Sequence, residues 1–199
     1  MKRSVALALF LALALSPGAA DAHLNSTGMG PLYDGAAHFL GSPGDLLAAL
    51  ALALFAGQRG PEFGRRVLLV LPAGWLVGAL LGSLAPAVSE SAVASAAWVL
   101  GLGALLALDL KLSLRGVSAL AACTGAYHGL LNGSGFGWSA SMLGALVGLT
   151  AAVFALTALA SALVVAIRPS WGRIAVRVAG SWIAASGLLW LGWAARSPG

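Results

Sequence analysis

HLNSTGMGPLYDGAAHFLGSPGD, residues His23 to Asp45, runs directly into the apolar stretch DLLAALALALFAG, Asp45 to Gly57, and this junction decides the fold. As a helix the apolar stretch rises about 1.5 Å per residue and covers about 20 Å, against a hydrocarbon core of about 30 Å. It is too short to span alone. The missing depth is expected from Gly35 to Gly44, which carries His38 partly into the membrane beside a break at Gly41-Ser42-Pro43-Gly44. Polar groups at a broken helix inside a bilayer are costly, and they usually line a cavity or a substrate site.

Around this junction the chain is oily. It is 60% hydrophobic and 9% charged, with mean hydropathy +0.94, whereas soluble domains carry about 25% charged residues. These values indicate an all-α integral membrane protein. A length of 199 residues with short loops leaves room for one helical domain. The pI of 10.4 would suggest nucleic acid in a soluble protein, but the basic residues here sit in short loops, where they set topology, and no basic face remains for nucleic acid. A single cysteine, Cys123, excludes an internal disulfide and reads as a packed small residue.

Residues 1–22, MKRSVALALFLALALSPGAADA, hold Lys2 and Arg3, an apolar core from Val5 to Leu15, a Ser16-Pro17-Gly18 breaker and Ala20-Asp21-Ala22. That order is a secretory signal peptide, with cleavage expected after Ala22 and His23 as the mature amino terminus. Residues 23–199 then form a compact bundle of six transmembrane helices, the first short or broken. The remaining spans are expected near Val67–Ala85, Ser91–Leu108, Leu114–Leu131, Ser139–Ile167 and Ile174–Ala195. Loops after spans one, three and five carry Arg59, Arg65 and Arg66, then Lys111 and Arg115, then Arg168, Arg173 and Arg177; loops after spans two and four carry no Lys or Arg. Positive loops stay inside, so the mature amino terminus, Ala85–Glu90 and Asn132–Trp138 are expected outside a bacterial inner membrane.

Glycine recurs every fourth residue at Gly74, Gly78 and Gly82, at Gly125, Gly129 and Gly133, and at Gly144 and Gly148. Such faces let helix backbones approach closely in lipid, either within the bundle or at a homo-oligomer contact. Trp138, Trp190 and Trp193 are expected at the outer boundary and Trp171 at the inner one.

The chemistry-bearing residues gather on the outer side. His23 begins the mature chain, His38 enters the first helix, and His128 lies in CTGAYHGLLNGSG with Thr124 one turn before it and Tyr127 beside it. Asp34 and Asp45 share that side. Imidazole with carboxylate suits nickel, cobalt, zinc or copper, and a terminal amine at His23 adds a donor that favours copper. Each residue also has a structural reading. His23 marks the cleavage site, Asp34 in Leu32-Tyr33-Asp34-Gly35 serves as a turn or helix cap, and Asp45 completes a capping box with Ser42 and Pro43. His38 and His128 stand in apolar runs that gain nothing from an unpaired imidazole, although one hydrogen bond would satisfy either. Asp109 reads as an ion pair with Lys111 at the inner edge. Gly133-Ser134-Gly135 resembles the serine motif of rhomboid proteases, but that chemistry takes a histidine from a later helix and none follows His128; Ser134 reads as an outer-loop residue. No enzyme activity and no prosthetic group are expected. No Walker motif is present, so ATP would act only through a partner.

Together these residues resemble the HupE/UreJ family, whose members are associated with hydrogenase and urease and regarded as nickel or cobalt permeases. His23 matches the family's early histidine. His38 with Asp45 and the following LLAALALALFAG looks like the first-helix motif H-P-x-x-G-x-D-H, and Gly125 with His128-Gly129 looks like the later H-G element. The His38–Asp45 interval is one residue longer than in the motif, Leu46 replaces its last histidine, and no glutamate follows His128-Gly129. The resemblance implies uptake of a divalent cation as substrate, with His23, Asp34, His38, Asp45 and His128 as metal ligands. The alternative is an accessory protein that holds a metal, or docks a periplasmic metalloprotein, without transport.

Overall fold

The computed structural model describes residues 26–85, 88–136, 138–167 and 170–196, so the expected signal peptide, its cleavage site, His23 and Arg168 lie outside the described residues. Among those described, seven helices and no strands form: α1 (Pro31–Gly41), α2 (Pro43–Arg59), α3 (Pro61–Leu84), α4 (Ala92–Ala107), α5 (Leu114–Phe136), α6 (Met142–Ala166) and α7 (Ser170–Ala194). The first three each begin with proline. Proline at the first helical position has no N–H to leave unpaired, and it drives the preceding residue out of the helical region. Ser42 (φ −99°) therefore breaks α1 from α2. Gly60 alone turns the chain from α2 into α3 at φ 113°, a conformation open to glycine.

The expected break is present, but its consequence differs from the expectation. α1 and α2 meet at 78°. A helix of 11 residues is about 16 Å long, so at this angle it adds only about 3 Å of depth along α2. α1 turns aside rather than lengthening the span, and the 17 residues of α2 cover about 25 Å themselves. The capping-box expectation also fails. Ser42 donates its hydroxyl back to the His38 carbonyl at 2.7 Å, and the Asp45 carboxylate is engaged elsewhere.

α2 is the central post and touches all six other helices. Its buried set, from Asp45 and Ala48 through Leu52 and Phe55 to Gly57, surrounds the helix axis, as expected of a helix apolar on all sides. The alanines keep it thin. Around it α3 pairs with α5, α4 with α7, and α6 with both α1 and α2. The glycine repeats make these contacts: Gly74, Gly78 and Gly82 of α3 lie on Ala122, Ala126 and Leu130 of α5, while Gly125, Gly129 and Gly133 lie on Leu71, Trp75 and Ala79 of α3. Gly148 of α6 seats Leu32 of α1. The repeats thus pack the bundle internally. Large apolar side chains fill the core, as Trp75, Phe39, Phe55 and Leu71 do, and also point outward, with Leu159, Trp182, Leu189 and Trp193 more than 70% exposed. An apolar exterior of this kind suits lipid.

α3, α6 and residues Trp171–Ala194 of α7 are each long and apolar enough to cross a membrane, and the bent pair α1–α2 adds a fourth candidate. The chain is a multi-pass helical membrane protein. Helix ends follow the expected spans to within three residues, except that α3 begins earlier, at Pro61, α5 continues to Phe136 and α7 begins at Ser170. Arg65, Arg66, Asn132, Ser134 and Arg173 are therefore helical rather than in loops.

Three segments of the chain meet at one end. Asp109, at φ 52° just past α4, is bridged by Arg59 of α2 at 3.2 Å and Arg173 of α7 at 3.0 Å. Arg59 also donates to the carbonyls of Asp109 and Leu110, and Arg177 to that of Ala107, which satisfies acceptors left over at the α4 terminus. Asp109 does not pair with Lys111, which is exposed. The loops expected on the positive side thus share one end of the bundle.

Candidate functional site

At the opposite end of α2, Asp45 occupies the first turn and is 7% exposed. A carboxylate there faces the positive end of the α2 dipole, but a charge so buried also needs direct donors. α5 supplies them. Thr124, His128 and Asn132 recur at i, i+4 and i+8, forming one buried polar edge on that helix. His128 Nδ1 lies 2.7 Å from Asp45 Oδ1, and Asn132 Nδ2 donates to Asp45 Oδ2 at 3.0 Å. Trp75 of α3 closes the network by donating its indole N–H to Asn132 Oδ1 at 3.3 Å.

The same tryptophan stacks on the His128 ring, with centroids 5.3 Å apart and planes 26° apart, while Tyr127 presents its edge at 5.1 Å. Phe39 supports Trp75 from the far side at 5.7 Å. Glycine makes this proximity available, because Gly129, beside His128, brings the α5 backbone onto Trp75 itself. The imidazole is held by a stacked indole, a T-shaped phenol contact and one nitrogen. With Asp45 accepting, Nδ1 carries the proton, and in the neutral form of the ring Nε2 has its lone pair. That Nε2 is buried and has no hydrogen-bond partner. A carboxylate on one ring nitrogen and a free lone pair on the other is the arrangement in which histidine binds a transition metal.

A second polar chain runs from this ring to the surface. Tyr127 and Ser95 share a hydrogen bond of 3.0 Å, and Ser95 donates to Glu90 at 2.6 Å. Trp98 stacks on Tyr127 and donates to Thr124 at 3.2 Å, so the polar edge of α5 is satisfied by α4 as well as α2.

Of the residues singled out by sequence, Asp45 and His128 are joined directly. His38 is near enough to Asp45 for their charges to interact, and its ring meets the edge of Phe136 at 5.1 Å. Asp34 is held in a local clasp, with the Thr27 amide and hydroxyl donating to Oδ1 at 2.6 and 2.7 Å. Those two donors hold its carboxyl below the usual range. His23 lies outside the described residues. Among the described residues, no group of three or more His, Cys, Asp and Glu side chains is arranged to hold a metal ion. Trp75, Asn132, Glu90 and Ser95 belong to the site but were not singled out by sequence. Asn132 had a legible signal, four residues after His128, hidden by reading GLLNGSG as the start of a loop.

No curated protein and no solved structure matches the chain. The profile of the family described as HupE / UreJ protein matches residues 11–190, which include α1 to α6, most of α7 and the whole Asp45–His128–Asn132–Trp75 network. The chain belongs to the HupE/UreJ family.

Proposed function

We propose that this protein is a permease for a divalent transition-metal ion of the nickel or cobalt type, received at the Asp45–His128 end of the bundle. The observation that carries this reading is the unpartnered Nε2 of His128, 2% exposed, on an imidazole whose other nitrogen is held by Asp45. Asp45 acts through the ring: its negative charge raises the basicity of Nε2 and offsets the charge of an arriving cation. Asn132 and Trp75 fix the carboxylate and the ring plane. His38, half-buried and close enough to Asp45 for their charges to interact, is the capture ligand at the mouth, Asp34 belongs to the approach, and His23 is assigned a ligand role on sequence grounds alone. Water completes the coordination shell. A sparse protein shell suits an ion in transit, since conduction needs binding strong enough to enter and weak enough to leave. Imidazole also accepts copper and zinc, so selectivity is read by experiment.

With the six spans expected from sequence, the receiving end faces outside, because Arg59, Arg65, Arg66, Lys111, Arg115, Arg173 and Arg177 lie in the segments expected inside. The protein works as a carrier rather than an enzyme; the Ser134 hydroxyl is bound back to Leu131 O. Nickel and cobalt binding to the purified protein, followed by uptake into reconstituted vesicles, tests the proposal. His128→Ala is expected to abolish both. Unchanged binding and flux in that variant refute the site, while binding by the parent without flux would assign the accessory role and set transport aside.

A further inference from the structure

On the permease reading, an ion leaving His128 has to reach the arginine-bearing end, and α6 carries polar groups in that direction. Thr150, Thr157 and Ser161 are spaced by seven and four residues, so they share one face of a helix otherwise apolar, and the three cover about 17 Å along its axis. Thr157 and Ser161 are buried, and the Thr150 hydroxyl is buried with no partner. Thr157 and Ser161 donate to carbonyls one turn back, at 2.7 and 2.6 Å, which leaves their oxygen lone pairs free to accept a cation. α2 and α3 pack on this face through glycine: a Cβ at Gly57 of α2 would meet Ser161 O at 2.8 Å, and one at Gly64 of α3 would meet Ser161 Oγ at 3.6 Å. Next to Gly57 stands Gln58, whose amide nitrogen and oxygen are both buried and unpartnered. It lines a small crevice with Val164, Ile167, Arg173 and Val176 at the far end of the bundle.

Unpartnered polar groups cost stability wherever water is excluded, so the Thr150 hydroxyl and the Gln58 amide, at the two ends of a face that also holds Thr157 and Ser161, call for a ligand. We propose that Thr150, Thr157, Ser161 and Gln58 form the inner half of the ion route, with Gln58 as its exit group. This inference rests on the permease reading. Hydroxyl and amide oxygens replace part of a divalent cation's water shell without adding fixed charge, so each contact is weak and the ion moves on. Arg173 at the crevice, held by Asp109, repels the ion from the last position and favours its release.

Thr150→Val and Gln58→Leu, measured for nickel or cobalt uptake in vesicles and for binding in detergent, test the column. Valine has the shape of threonine, so Thr150→Val removes an unpartnered hydroxyl and keeps the packing. The expected result is a fall in flux of tenfold or more in both variants with binding at His128 unchanged, and recovery of flux in Gln58→Asn. Parental flux in Thr150→Val and Gln58→Leu, with binding intact, overturns the route. Should His128→Ala leave binding and flux intact, the permease site itself fails, which is a separate result.

Discussion

Gly129→Ala puts the helix contact beside His128 and Trp75 to a direct test. A Cβ at this position would lie 2.9 Å from Trp75 C and 3.0 Å from Ala79 N, and closer still to Trp75 O. Carbon contacts settle at about 3.5–4.0 Å, so α3 and α5 must part by about 1 Å. The neighbouring contacts at Gly125, Gly133 and Gly78 are as tight, so the strain is not relieved by a local tilt. Overpacking of this kind costs about 1–3 kcal/mol. The Trp75–Asn132 hydrogen bond, already 3.3 Å long, would exceed hydrogen-bond range, at a further cost of about 1 kcal/mol. A total of about 2–4 kcal/mol corresponds to a fall in Tm of about 5–15 °C for a chain of this size. Thermal unfolding in detergent, followed by circular dichroism and tryptophan fluorescence, measures it. Gly101→Ala is the control, since nothing lies within 4 Å of a Cβ there and alanine favours the helix. Equal Tm values for Gly129→Ala and the parent would refute the argument that glycine sets the α3–α5 distance.

Asp45→Asn keeps the shape of the network and removes its charge; nickel or cobalt affinity is expected to fall about 10–100-fold by titration while the helical content is unchanged. Arg59→Met breaks a pair whose side chains are 12% and 20% exposed and leaves α4 carbonyls uncovered, so Tm should drop by about 3–10 °C. Arg173→Met, at a side chain 68% exposed, should change stability by less than about 1 kcal/mol. For Asp34, whose carboxyl is held below the ordinary value by the Thr27 amide and hydroxyl, the clasp contributes fully above about pH 3.9 and is lost as pH falls through the lowered value. Carboxyl carbon NMR should show Asp34 titrating below a free aspartate, and Thr27→Val, which removes one of the two donors, should raise it. An Asp34 that titrates at the ordinary value in the parent would remove the clasp.

Part of the fold was legible locally. Pro43 marks a helix start because a residue before proline leaves the helical region; the same signal at Pro61 went unread, and the helix expected from Val67 begins there after a one-residue turn at Gly60. The four-residue glycine spacing announced close-packed faces, since periodicity is a property of one helix at a time. It left the partner face open. Asn132 and Ser134 looked like loop residues because glycine and serine break isolated helices; in the protein, Gly133 is pressed against Ala79 and the helix continues through them. Asp109 has Lys111 as its neighbour in sequence and Arg59 and Arg173 as its neighbours in space.

By itself the sequence determined an apolar helical chain with a polar break before its central helix, basic residues clustered toward one end, and histidines and carboxylates toward the other. Those are sums and periods over neighbouring residues. The direction of α1 after the break, the pairing of α3 with α5, and the joining of Asp45, His128, Asn132 and Trp75 across 57 to 87 residues of chain were decided only by tertiary packing. The reason is physical: a buried carboxylate must find donors, and which donors reach it depends on which glycine faces bring their helices close enough.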